Sequence, residues 1–172
     1  MRPSSRHESV VKLLLDTGKV NVNAADIKHG LTPLSWAARQ KNKAIVKLLL
    51  NTGRVKADSQ DQSGRTPLCW AAEQGNEAII KLLLDTGKVD VNAKDRNGWT
   101  PLSLAAEKRH QAVVKLLLDT GKVDIDTQDQ IGSLAVAASL QIASRSPDIC
   151  MPPAKRANPD ADWTATKKPR LP

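Results

Sequence analysis

The string Thr-Pro-Leu begins at Thr32, Thr66 and Thr100, 34 residues apart each time, and this period constrains the chain more than any other feature. A supersecondary unit this short cannot bury its apolar face alone, so copies of it must stack on one another. Lys-Leu-Leu-Leu recurs in step at Lys12, Lys47, Lys81 and Lys115, and Thr-Gly pairs close each segment at Gly18, Gly53, Gly87 and Gly121. The register divides the chain into a partial unit over 1–29, full units over 30–63, 64–97 and 98–131, a degenerate end over 132–144 and a basic tail over 145–172.

The middle unit shows how each copy should fold. Thr66 is placed to cap a helix whose first position is Pro67, where a missing N–H costs nothing and φ is already helical. Leu68, Ala71 and Ala72 fall at i, i+3 and i+4, and the alanines leave room for a second helix to approach. Gly75 permits a sharp turn. The second helix carries Ile79, Leu82 and Leu83 on one face and stops at Thr86-Gly87. Lys88 to Asn97 then reads as an extended excursion ending in an Asn97-Gly98 turn. Helices of about eight to ten residues do not persist alone, so stacking must stabilise them, at roughly 1.5–3 kcal/mol per large aliphatic side chain buried.

The run Gly64-Arg65-Thr66-Pro67-Leu68-Cys69-Trp70-Ala71-Ala72, with Gly75, Leu82-Leu83-Leu84 and Asp90-Val91-Asn92-Ala93, resembles the ankyrin repeat. The resemblance spans residues 7–132, about three quarters of the chain. It implies an all-α repeat solenoid of helix-turn-helix units with short β-hairpin-like tips. The unit is one residue longer than usual because of its Gly-Lys-Val-Asp segment, a form similar to fungal arrays, including those attached to NACHT-type nucleotide-binding receptors. Three departures stand out. Ser35, Cys69 and Ser103 occupy the usual histidine position, so the Thr–His hydrogen bond is expected to weaken or vanish. Lys41 and Arg109 replace the turn glycine, at about 1 kcal/mol each if φ must be positive there. The first unit has a second helix, about 8–17, without a preceding partner helix, and 133–144 is apolar nearly all round, so both ends read as cut.

The resemblance further implies that a protein partner is gripped by the tips and by the exposed side of each first helix. The tips contribute Lys28, His29, Leu31, Gln62, Arg65, Arg96 and Trp99; the helix sides contribute Arg39, Gln40, Glu73, Gln74, Glu107 and Lys108. These positions vary between units whose framework repeats. Trp99, near Arg96 and equivalent in place to Arg65, is the foremost candidate for a strong contact, the alternative being that it packs along its own hairpin and covers framework. Trp36 and Trp70, with Leu104 next in their series, read instead as framework stacked between repeats.

Other function classes find little support. The net charge of +8 suggests nucleic acid or anionic membrane. However, Lys12, Lys47, Lys81 and Lys115, and likewise Lys19, Arg54, Lys88 and Lys122, belong to the repeating template, and Asp16, Asp85 and Asp119 lie four residues after their lysines. A solvated face is the expected outcome. Cys69 and Cys150 are 81 residues apart and lack metal-ligand spacing, so no disulfide framework, metal or cofactor is expected. Cys69 reads as a small core residue. His7 and His110 share a template position with Asn42 and Asn76, and no nucleophile-base pairing involves them or His29, so no catalytic residues are assigned. No run approaches the roughly 18 apolar residues of a membrane span.

From Arg145 the composition turns to Pro, Ala, Asp and basic residues, as in a disordered tail. Within it, Lys155-Arg156 and, after a ten-residue spacer, Lys167-Lys168-Pro169-Arg170 resemble a bipartite nuclear-import signal for an import receptor. The expectation is a non-catalytic, monomeric protein-interaction scaffold or adaptor in the cytoplasm, or in the nucleus if the tail works. The alternatives are a nucleic-acid-associated nuclear factor using the basic surface and tail, and a truncated fragment of a larger ankyrin-array receptor.

Overall fold

The computed structural model describes residues 3–124. The degenerate end (132–144), the basic tail and its candidate import residues, and Cys150 lie outside the described residues. Seven helices are present among the described residues: α1 (Pro3–Asp16), α2 (Pro33–Arg39), α3 (Lys43–Asn51), α4 (Pro67–Glu73), α5 (Glu77–Leu84), α6 (Pro101–Glu107) and α7 (Gln111–Leu118). They form two rows. The row of α2, α4 and α6 packs side by side; the row of α1, α3, α5 and α7 lies behind it, and α2, α4 and α6 each pack on the helix that follows in the chain. α1 begins well before the expected residue 8, which places His7 inside a helix rather than at a cap.

The caps explain why the short helices start where they do. Thr32, Thr66 and Thr100 are extended, and each hydroxyl accepts a hydrogen bond from the N–H three residues on, directly before a proline. The residues replacing the expected histidine restore the side-chain link rather than losing it. Thr32 Oγ1 lies 3.0 Å from Ser35 Oγ, Thr66 Oγ1 lies 3.4 Å from Cys69 Sγ and Thr100 Oγ1 lies 3.2 Å from Ser103 Oγ. The Thr-Gly stop has an equally local cause: Thr17, Thr52, Thr86 and Thr120 donate to the carbonyls of Leu14, Leu49, Leu83 and Leu117. These bonds satisfy carbonyls that the helix end would otherwise orphan.

The core runs between the rows. Leu34, Leu68, Val46, Ile79, Ile80, Leu83 and Leu117 are fully buried, as are Ala38, Ala71, Ala72 and Ala105, whose small size lets the helices close up. The buried face of α5 is Ile79, Ile80 and Leu83, whereas Leu82, expected on that face, is half-buried. α1 differs from its successors. Val10 and Leu14, in register with the fully buried Ile79 and Leu83, are 54% and 49% exposed, because among the described residues no helix of the α2 row stands in front of α1.

The left-handed turns appear as expected. Lys41 and Arg109 both hold φ at 58°, beside 70° at Gly75. The tips are hydrogen-bonded turns, with no strand among the described residues. The Asp26, Asp61 and Asp95 N–H groups donate to the carbonyls of Leu31, Arg65 and Trp99, closing each tip. Neighbouring tips are joined by Gln62 N–H to His29 carbonyl and Arg96 N–H to Ser63 carbonyl. This approach explains Gly64: a Cβ there would stand 3.0 Å from the Arg96 nitrogen, on a backbone at φ +77°.

Candidate functional site: the face of the first helices and tips

The tips are organised around three aspartates that recur eight residues after Gly18, Gly53 and Gly87. One carboxylate oxygen of each accepts two backbone N–H groups: His29 and Gly30 on Asp26, Ser63 and Arg65 on Asp61, Asn97 and Trp99 on Asp95. The other oxygen takes an indole N–H in the first two units, Trp36 at 3.0 Å from Asp26 and Trp70 at 2.9 Å from Asp61. Leu104 fills the tryptophan position in the third unit, and the second oxygen of Asp95 accepts Arg65 Nε instead, at 3.1 Å. The His29 N–H is the chief cause that holds Asp26 below the usual carboxylate range. Sequence reasoning missed these aspartates, although their fixed spacing is visible in the repeat.

Arg65 is the most heavily bound side chain of the face. Besides Asp95 it meets both oxygens of Glu73 at 3.1 and 3.2 Å, and its guanidinium carbon lies 4.8 Å from the centre of the Trp70 ring. Asp95 beneath it has a side chain only 1% exposed. Burial acts against the charge of Arg65, but the bond to Asp95 and the charges of Glu73 and Asp95 raise the guanidinium above its ordinary value. Arg65 therefore ties the second tip to the third.

The tryptophans stack in a different manner from the one expected. Leu104 is interior at 1% exposure, whereas Trp36 is 39% exposed and Trp70 half-buried. The Arg39 guanidinium carbon sits 5.4 Å from the Trp36 ring centre and 5.0 Å from that of Trp70. A strip thus runs Trp36, Arg39, Trp70, Arg65, each cation over an aromatic face.

The other expected contact residues are placed as follows. Lys28, His29, Gln40, Gln62 and Arg96 are exposed, with the Gln62 amide donating to the Ile27 carbonyl at 3.1 Å. Gln74 and Trp99 are half-buried. Glu107 and Lys108 are exposed and paired at 3.5 Å. Leu31 offers no surface: it is 2% exposed, because the closed first tip folds it into the interior. Cys69 is fully buried, and burial pushes its thiol pKa up, the opposite of an activated nucleophile. His110 Nε2 lies 3.0 Å from the Glu73 carbonyl and belongs to the framework.

Among the described residues no group of three or more His, Cys, Asp or Glu side chains could hold a metal ion, and no helix is long and apolar enough to cross a membrane. The lysines of the second helices, Lys12, Lys47, Lys81 and Lys115, stand exposed on the row opposite the tryptophan strip.

Two rows of short capped helices, joined by aspartate-centred tips and repeated in register, define a helical repeat solenoid with one varied face. The family model for ankyrin repeats, in three copies, matches residues 4–58 and 53–129, and the chain belongs to the ankyrin-repeat family. Members of that family are in general protein–protein interaction modules. No curated protein matches the chain.

Proposed function

We propose that this chain is a non-catalytic scaffold or adaptor that docks a protein partner across the tips and the α2, α4 and α6 row. The observation that carries this reading is the contrast within one face. Trp36 is 39% exposed on the same short helix as Leu34 at 0%. An exposed indole over a fully packed framework has the composition of an interface anchor, since Trp and Arg dominate such contacts. The varied positions agree: Arg39, Glu73 and Glu107 share one register and are each at least partly exposed, while the buried framework repeats.

The test is an affinity capture that compares the wild type with a Trp36→Ala, Trp99→Ala variant and with a Lys47→Ala, Lys81→Ala variant of the opposite row. Circular dichroism confirms equal helicity. Partners lost only with the tryptophan variant support docking on this face. Partners lost only with the lysine variant would move the site to the other row.

A further inference from the structure

We infer that the face of the first two units seats a carboxylate side chain of an extended acidic peptide on Arg39, with an adjacent apolar side chain of that peptide resting on Trp36. This rests on the docking reading above and names the chemistry of the partner. Arg39 is oriented without being satisfied. Its guanidinium is held between two indole faces at 5.4 and 5.0 Å, yet among the described residues no carboxylate pairs with it. Stacking fixes the plane of a guanidinium and leaves its N–H edge to donate, the arrangement that recognises a carboxylate through two parallel bonds.

The acids around it are already engaged. Asp26 and Asp61 are filled by tip N–H groups and the two indole N–H groups, and Glu73 and Asp95 face Arg65. Glu73 and Glu107 hold the register of Arg39 in the later units, where they pair with Arg65 and Lys108, so within this register the cation without a carboxylate is Arg39 of the unit 30–63, with Lys28 and Lys41 also exposed. Charge complementarity therefore selects an acidic segment, with its carboxylate at Arg39. Trp36 supplies the apolar half of the seat.

The test uses the full chain and three pools of fluorescein-labelled ten-residue peptides. Each pool carries a fixed leucine beside its central position and uncharged mixtures elsewhere. The central position is Asp or Glu in the first pool, Asn or Gln in the second and phosphoserine in the third. Fluorescence anisotropy reads the affinity, and circular dichroism confirms that Arg39→Gln retains its helicity. The carboxylate pool is expected to bind about tenfold more tightly than the amide pool, the scale of a charged hydrogen bond. Arg39→Gln should erase that difference, and Arg39→Lys should restore part of it. Equal binding of both pools, unchanged by Arg39→Gln, would overturn the carboxylate seat while leaving docking on this face intact. Tightest binding of the phosphoserine pool would overturn it in favour of a phosphate. Failure of every pool to bind would overturn the peptide seat, and the affinity capture above then decides the docking reading by itself.

Discussion

His110 lies over Gly75. A Cβ at residue 75 would stand 2.5 Å from the His110 Nδ1, while the Nε2 of the same ring reaches the Glu73 carbonyl at 3.0 Å. Asn42 and Asn76, in the same register, use their side chains to cap their own helices; His110 makes no such cap and bridges to the preceding unit instead. Gly75→Ala should therefore cost about 1–2 kcal/mol from its left-handed backbone alone, with the contact against His110 added. In a His110→Ala background the added part should disappear and the backbone part remain, a coupling that urea unfolding of the four variants measures.

Lys41 and Arg109 hold the same left-handed turn without the freedom of glycine. Lys41→Gly and Arg109→Gly should each stabilise the fold by about 0.5–1 kcal/mol. The two lie two units apart and should add in the double variant. A raised urea midpoint at unchanged slope is the expected reading.

Asn23, Asp58 and Asn92 share a register five residues after their glycines. Asn23 donates to the Arg54 carbonyl and accepts the Lys56 N–H; Asn92 does the same with Lys122 and Asp124. Asp58 accepts the Asp90 N–H but has no donor for the Lys88 carbonyl that the register puts opposite it. Desolvation, together with the charge of Asp90, raises its pKa above the usual value. A carboxyl with a folded pKa above its unfolded one binds more protons when folded, so stability falls as pH rises through that window. Asp58→Asn should stabilise the fold by about 0.5–1 kcal/mol at neutral pH, the lower range for a hydrogen bond at a site open to water. It should also flatten the decline between the unfolded and the raised folded pKa.

Asp26 predicts the opposite slope. Its pKa is depressed, chiefly by the His29 N–H, so its contribution is complete above the ordinary aspartate value of 3.8 and is lost as pH falls through the lower folded pKa. Trp36 donates to the same carboxylate, so its fluorescence should change in that acid window. In Asp26→Asn this acid-dependent change in Trp36 should be absent.

Arg65→Ala should act on the fold before it acts on any partner. It strips the cation from Asp95, whose side chain is 1% exposed, and should cost about 3 kcal/mol, the scale of an unpaired buried charge. Asp95→Asn in the same chain should recover much of that loss in thermal unfolding. Trp36 and Trp99 are accordingly the cleaner positions at which to probe binding.

The period, caps, helix stops and left-handed turns were all legible in the sequence of this chain, because each is decided within about four residues. Thr66 before Pro67, Thr86 before Gly87, and Lys41 where glycine is expected carry their meaning locally. The candidate site was legible only as a set of positions. Leu31 passed for a tip contact until the closed turn buried it. Arg65 passed for a tip contact open to a partner until Asp95, 30 residues away, came beneath it. Trp36 and Trp70 passed for interior packing, while Arg39 between them had no partner that spacing could reveal. Each of these outcomes depends on how one unit settles on the next, and the offset between units is set by alanine-lined helix packing and tip-to-tip hydrogen bonds. The local chemistry of the chain determined the repeat; the stacking geometry decided which of its side chains remained to meet a partner.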